Sequence, residues 1–258
     1  MAAGTAMKST KKRTQNRIWF FLLALAALLL CAGLLLHRLG VEPSALFEAV
    51  SGRTETDSVP FDESGIPAYS GQDWVELNKN RPLFTKEELS AEAHVTFSPF
   101  DSLGRTGVGE AMLGPELLPK EERGPVGDFR PSGWKTARYD DLIEDRFLYN
   151  RCHVIGYLLC GDKSTPENLF TGTRHLNATS MLEWEMKVAY YIHSTKNHVA
   201  YRVTPTYEGK NLVAAGVRME AFSVEDHGKG LQFHVFVYNV QPGILIDYRN
   251  GESQRAPG

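Results

Sequence analysis

Between residues 181 and 240 the apolar pattern changes period once, and that change restricts the architectures open to the chain. Met181, Trp184, Val188 and Ile192 recur at helical spacing, which places them on one stripe of a helix. Residues 198–207, 212–223 and 232–240 instead alternate apolar and polar side chains, with turn-forming segments at 208–211 and 226–230 between them. Alternation over such lengths predicts strands with one buried face, and the short turns make neighbouring strands antiparallel. A helix with one apolar stripe and a sheet with one apolar face can bury each other. The expected fold is therefore α+β, a central antiparallel sheet with packed helices. Ser180 followed by Glu183 has the pattern of a capping box and predicts that the helix begins there.

Upstream of that helix, residues 149–159 form an apolar run interrupted by polar side chains, among them His153. As a strand it would put His153 on one face with Arg151 and Ile155, and Cys152 with Val154 on the other. Residues 161–168 include Asp162, Ser164, Thr165 and Pro166, the chemistry of a turn. Asn177 then falls about one turn before the helix, or at its start. An imidazole, amides and a carboxylate thus converge on one edge. Each alone has an ordinary structural role: a hydrogen-bonded histidine in a strand, an asparagine helix cap, and Glu185 as half of a surface pair with Lys187. Further upstream, residues 67–77 read as an extended entry and 85–94 as a short helix. Glycine- and proline-rich patches at 104–109, 114–119 and 124–133 read as loops framing a cleft.

The run Asn150-Arg151-Cys152-His153, followed by Ile155-Gly156-Tyr157, resembles the Asp-Arg-Gly-His signature of the DNA/RNA non-specific endonucleases, which carry a ββα-metal finger. It looks most like their Gram-positive secreted and membrane-anchored branch, the streptococcal uptake nucleases and streptodornases. The resemblance extends to residues 101–105, 131–134, 201–204 and 240–243, most of the chain after about Ile66. It implies His153 as general base, Asn177 as the side chain that holds Mg2+ or Mn2+, and Asn168 and Glu185 as supporting catalytic residues. Arg151 would add charge to the transition state, and Arg105, Arg174 and Asn150 would contact substrate, DNA or RNA. The chain departs from the signature at Asn150, where it has Asp, and at Cys152, where it has Gly. An amide at position 150 can still hydrogen-bond the His153 imidazole.

These residue types suit phosphodiester hydrolysis. Neutral imidazole, with a pKa of about 6.5, accepts a proton from water near neutral pH without extensive tuning. Mg2+ takes few protein oxygens and completes its shell with water and substrate phosphate, so one amide can place it. With water as nucleophile no 2′-hydroxyl is needed. Both DNA and RNA are then substrates if the cleft reads only backbone.

Charge and cysteine usage bear on these expectations. The formal net charge of −3 becomes −9 once the six cations of residues 1–40 (Lys8, Lys11, Lys12, Arg13, Arg17 and Arg38) are set aside. An acidic domain is an awkward partner for a polyanion, because binding is normally driven by counterion release from phosphates. Besides Arg105, Arg151 and Arg174, cations available to a cleft are Lys135 and Arg138. The acidity and Asn150 keep a second reading open, a membrane-tethered nucleic-acid receptor without turnover. The three cysteines make no disulfide framework; Cys152 and Cys160 read as buried thiols, and a zinc site with His153 and His175 would lack paired ligand spacing.

Residues 18–36 are nineteen without Asp, Glu, Lys or Arg, close to the roughly 20 that cross a bilayer. The basic cluster before them predicts a cytoplasmic tail (1–17), a transmembrane signal anchor (18–36), an extracellular linker (37–65) and a nuclease domain (66–258). A cleaved signal peptide, giving a secreted protein, is the rival; its apolar core is usually shorter.

Overall fold

Ten strands and two α-helices are seen in the computed structural model, which describes residues 65–257 apart from 91, 122–123, 125–126 and 162–164. The tail, the apolar segment and the linker expected at 1–65 lie outside the described residues, Gly65 excepted. The strands are β1 (Trp74–Glu76), β2 (His94–Phe97), β3 (Gly109–Leu113), β4 (Tyr149–His153), β5 (Leu169–Thr173), β6 (Val199–Thr206), β7 (Gly216–Ser223), β8 (Gln232–Tyr238), β9 (Ile244–Asp247) and β10 (Glu252–Arg255). The helices are α1 (Tyr157–Cys160) and α2 (Met181–Thr195).

Six strands make one antiparallel sheet in the order β1-β8-β7-β6-β3-β2. Its centre is the meander expected from alternation. Pairing of Tyr201 with Ala221 and of Ala221 with Phe233, and of Val203 with Met219 and Met219 with Val235, sets apolar rows on one face. The α2 side chains Met181, Trp184, Val188 and Ile192 are buried in the same core as those rows, and the Trp184 ring lies 4.7 Å from that of Phe233. Each such apolar side chain contributes about 1.5–3 kcal/mol when fully buried, so this seam holds the helix to the sheet. The other face carries a charged row in which Arg202 pairs with Glu110 at 2.8 Å, Glu220 at 3.3 Å and Glu88. The expected mixed α+β fold with a central antiparallel sheet is what the chain adopts.

Beside this sheet stands a two-stranded antiparallel hairpin, β4 with β5, and β5 runs directly into the helical segment that becomes α2. Three expectations are corrected, two of them in this region. The strand-like run ends at His153, because both amide atoms of Asn168 bind the Ile155 backbone and turn the chain away, after which residues 157–160 form α1. The helix begins near Arg174 rather than at Ser180. Ser180 has helical φ/ψ and no capping bond, while Thr173 Oγ1 accepts the Leu176 amide at 3.0 Å. Residues 85–94 form only one 3-10 turn, Glu88–Ser90, whose entry Thr85 and Glu88 cap reciprocally at 2.6 and 3.2 Å, before His94 opens β2.

Candidate functional site

The hairpin and the start of the helix place the candidate residues. Asn177 belongs to a π-helical turn, Leu176–Ser180, that precedes α2. Such turns widen the helix locally and recur at functional sites. The first-turn amides are satisfied by distant groups: Arg174 N–H donates to the Leu148 carbonyl at 2.7 Å and His175 N–H to Gln241 Oε1 at 3.0 Å. Asn239, fully buried, accepts the Thr173 amide at 2.8 Å and donates to the carbonyls of Thr171 and Ala214. Asn239 and Gln241 thereby lock hairpin, helix and sheet together at the point where Asn177 emerges.

His153, Asn177 and Glu185 line one cavity of about 280 Å³. His153 ends β4, and Asn177 and Glu185 lie two turns apart along the helix, with Met181 between them on the cavity wall. Glu185 and His153 are both buried. A Cβ at Gly156 would overlap Glu185 Oε1 and lie 2.9 Å from its Cδ, so only glycine lets the chain pass this carboxylate. Asn168 is fully buried and donates to the Ile155 carbonyl at 3.1 Å while accepting the Ile155 amide at 2.9 Å. It thereby fixes the backbone two residues after His153.

Asn177 also borders a second, larger groove of about 600 Å³ that contains Asn150, Arg151 and Arg174. Asn177 Nδ2 donates to Asn150 Oδ1 at 3.2 Å, and Arg174 donates to the same oxygen at 3.4 Å. The hydrogen bonds of Asn150 therefore run to Asn177 and Arg174, not to the imidazole. Arg151 is carried away from His153: its guanidinium donates to the Phe129 carbonyl and lies 4.7 Å from the centre of the Trp134 ring. Arg105 lines neither groove. It pairs with Asp101 at 2.7 Å, donates to the carbonyls of Gly209 and Asn211, and stacks on Tyr207. Among the remaining cleft cations, Arg174 pairs with Asp145 at 2.5 Å, Lys135 with Glu252 at 2.8 Å and Arg138 with Asp140 at 3.1 Å.

Among the described residues no three His, Cys, Asp or Glu side chains gather to hold a metal ion. Cys152 and Cys160 are free and buried, and burial, with the nearby Glu185 carboxylate, pushes the Cys152 thiol up. Sequence reasoning gave no role to Arg130, Phe147, Gly156 or Gln241. Gly156 and Gln241 had a signal, as parts of the runs 155–157 and 240–243 that carry the resemblance.

A family model described as DNA/RNA non-specific endonuclease matches residues 86–225. NucA from Streptococcus agalactiae, solved with a magnesium ion bound and with no metal bound, is 26% identical with a TM-score of 0.61, over 70% of this chain and 86% of that one. The Sda1 nuclease with a bound zinc ion is 25% identical with a TM-score of 0.53, over 63% of this chain and 81% of that one.

Proposed function

The chain belongs to the DNA/RNA non-specific endonuclease family, a metal-dependent family of hydrolases, and from that premise we propose that it cuts DNA and RNA outside the cell with His153 as general base. The observation that carries this reading is the single cavity shared by His153, Asn177 and Glu185.

The donor set fits a hard divalent ion, Mg2+ or Mn2+. The Asn177 amide nitrogen is committed to Asn150, which leaves its carbonyl oxygen as donor, and Glu185 adds a carboxylate on the same wall. Few protein oxygens with water filling the remainder is what Mg2+ prefers. When bound by Asn177, with Glu185 holding its waters, such an ion supplies Lewis acidity for the scissile phosphate and the departing sugar oxygen.

The chain's own residues do the rest. His153 takes the proton of the attacking water, a task that contributes about a hundredfold to ten-thousandfold in general-base enzymes. Asn168 keeps the imidazole in position by fixing Ile155. Arg174, beside Asn177, meets the substrate phosphate, and its exchange from Asp145 to phosphate trades one charge-assisted contact for another. Arg151 serves the adjoining nucleotide from the second groove, held by Trp134.

The apolar segment 18–36 behind its basic cluster supports a single-pass anchor with residues 66–258 outside the cell. A plasmid-nicking assay tests the function. Cleavage in Mg2+ that stops in EDTA is expected; cleavage persisting in EDTA refutes the metal role, and none in any divalent ion favours the receptor.

A further inference from the structure

The groove on the far side of Asn177 is larger than the one that holds the imidazole, and no chemical step needs its depth. We infer that it receives an unstacked nucleobase of the strand being cut, with the Phe147 ring as platform, so that the enzyme prefers single-stranded or locally melted nucleic acid to regular duplex. This rests on the function proposed above.

Three aromatic side chains line the groove, and two are already occupied. The Tyr149 hydroxyl donates to the Gly251 carbonyl and its ring is buried in a small core. Trp134 packs on the same core and carries the Arg151 guanidinium. Phe147 is 44% exposed, although it sits on the wall of a concave site. Arg138 lies over its ring, 5.4 Å from the centre, as a cation that can flank a second flat group stacked there. An exposed aromatic ring on the wall of a concave site can receive a flat partner, and a nucleobase is the flat group that a nucleic-acid strand brings.

Electrostatics points the same way. Duplex binding without sequence readout relies on Lys and Arg free to neutralise phosphates. Here Arg174, Lys135 and Arg138 are each paired with an acid, Arg151 is held on Trp134, and residues 66–258 carry a net charge of −4. Stacking on an aromatic ring does not depend on that charge and tolerates any base. A paired, stacked base has no free face to offer, so the gain is available only to a strand that can splay one base out. Because Asn177 borders both grooves, the base so held belongs to a nucleotide next to the scissile phosphate.

The test uses the full chain with fluorescein-labelled oligothymidylate and a duplex of equal length, binding measured by anisotropy in EDTA and cleavage measured in Mg2+. Wild type is expected to bind the single strand about tenfold more tightly than the duplex. Phe147→Leu, which keeps an apolar side chain but no ring face, and Phe147→Ala should both bring that ratio close to one. Phe147→Trp should keep it. Equal binding of both forms by wild type, or an unchanged ratio in Phe147→Leu, overturns the inference. A protein that binds single strands through Phe147 yet cleaves nothing in Mg2+ overturns the proposed function and supports the groove assignment.

Discussion

Asn177 donates from Nδ2 to Oδ1 of Asn150 across the junction of helix and hairpin, 3.2 Å apart. Position 150, where the family signature has an acid, thus faces the proposed metal anchor, and its amide orients the Asn177 carbonyl oxygen. Asn150→Asp keeps the acceptor and adds a negative charge beside the ion. The expected outcome is half-maximal cleavage at about tenfold lower Mg2+ concentration, in line with other supporting residues around metals. A titration of initial rate against Mg2+ checks it, and an unchanged midpoint would remove Asn150 from the metal site.

His153→Ala is expected to lower cleavage by about a hundredfold to ten-thousandfold while the circular dichroism spectrum stays native, because the residue lines a cavity into which the shortened side chain opens. Activity near wild type would discard the general-base assignment.

Gly156→Ala drives a methyl group into the Glu185 carboxylate. Overpacking of this kind costs about 1–3 kcal/mol, and here the displaced group belongs to the site. Both a lower melting temperature and weaker Mg2+ use are expected. If Glu185→Asp, one methylene shorter, restores folding in the double variant, the clash is the cause.

Asn239→Ala leaves the Thr173 amide and the carbonyls of Thr171 and Ala214 without their partner. Each buried polar group left unpaired costs about 1–3 kcal/mol. Thermal unfolding should show the loss, and the Mg2+ midpoint should rise because the start of the helix is no longer tied to the sheet.

His198 gives stability its own pH dependence. Hydrogen bonding to Glu225, partly offset by burial and reinforced by Glu116, raises its pKa above that of an ordinary imidazole. A raised folded-state pKa means that protonation favours the folded state. The contribution is complete below the unfolded value of about 6.5 and fades as pH climbs through the folded one. At the acid end it fades again as Glu225 protonates; burial raises the Glu225 pKa, but hydrogen bonds from the His198 side chain and backbone outweigh this and lower it. The melting-temperature gap between wild type and His198→Gln should be widest between those limits and close at alkaline pH. A gap independent of pH would mean that His198 acts only by packing.

Much of the scaffold was legible in the chain. The meander of β6, β7 and β8 follows from alternation, and the stripe Met181, Trp184, Val188 and Ile192 follows from helical spacing. The helix start was misread at Ser180 because capping boxes are local patterns, and here the first-turn amides are bound partly by Gln241 and Leu148, far away in sequence. Strand β3 went unseen because its Gly-Glu-Ala-Met-Leu sequence lacks β-branched residues and gains its place by pairing with β2 and β6. Arg105 stood out in the sequence, but its guanidinium is spent on Asp101 and on the loop around residue 210.

By itself the sequence determined the period of each element, the family resemblance around His153 and the acidity of the chain beyond residue 40, all of which are properties of neighbouring residues or of sums. Tertiary structure alone decided that Asn177 would stand between two grooves, that Asn150 would face it, and that Phe147 would stay exposed on a concave wall. Those relations depend on a hairpin end and helix start tied to partners more than sixty residues away and on ion pairs between segments distant in sequence. No local pattern encodes them, because their energy exists only once the hairpin, the helix and the sheet have met.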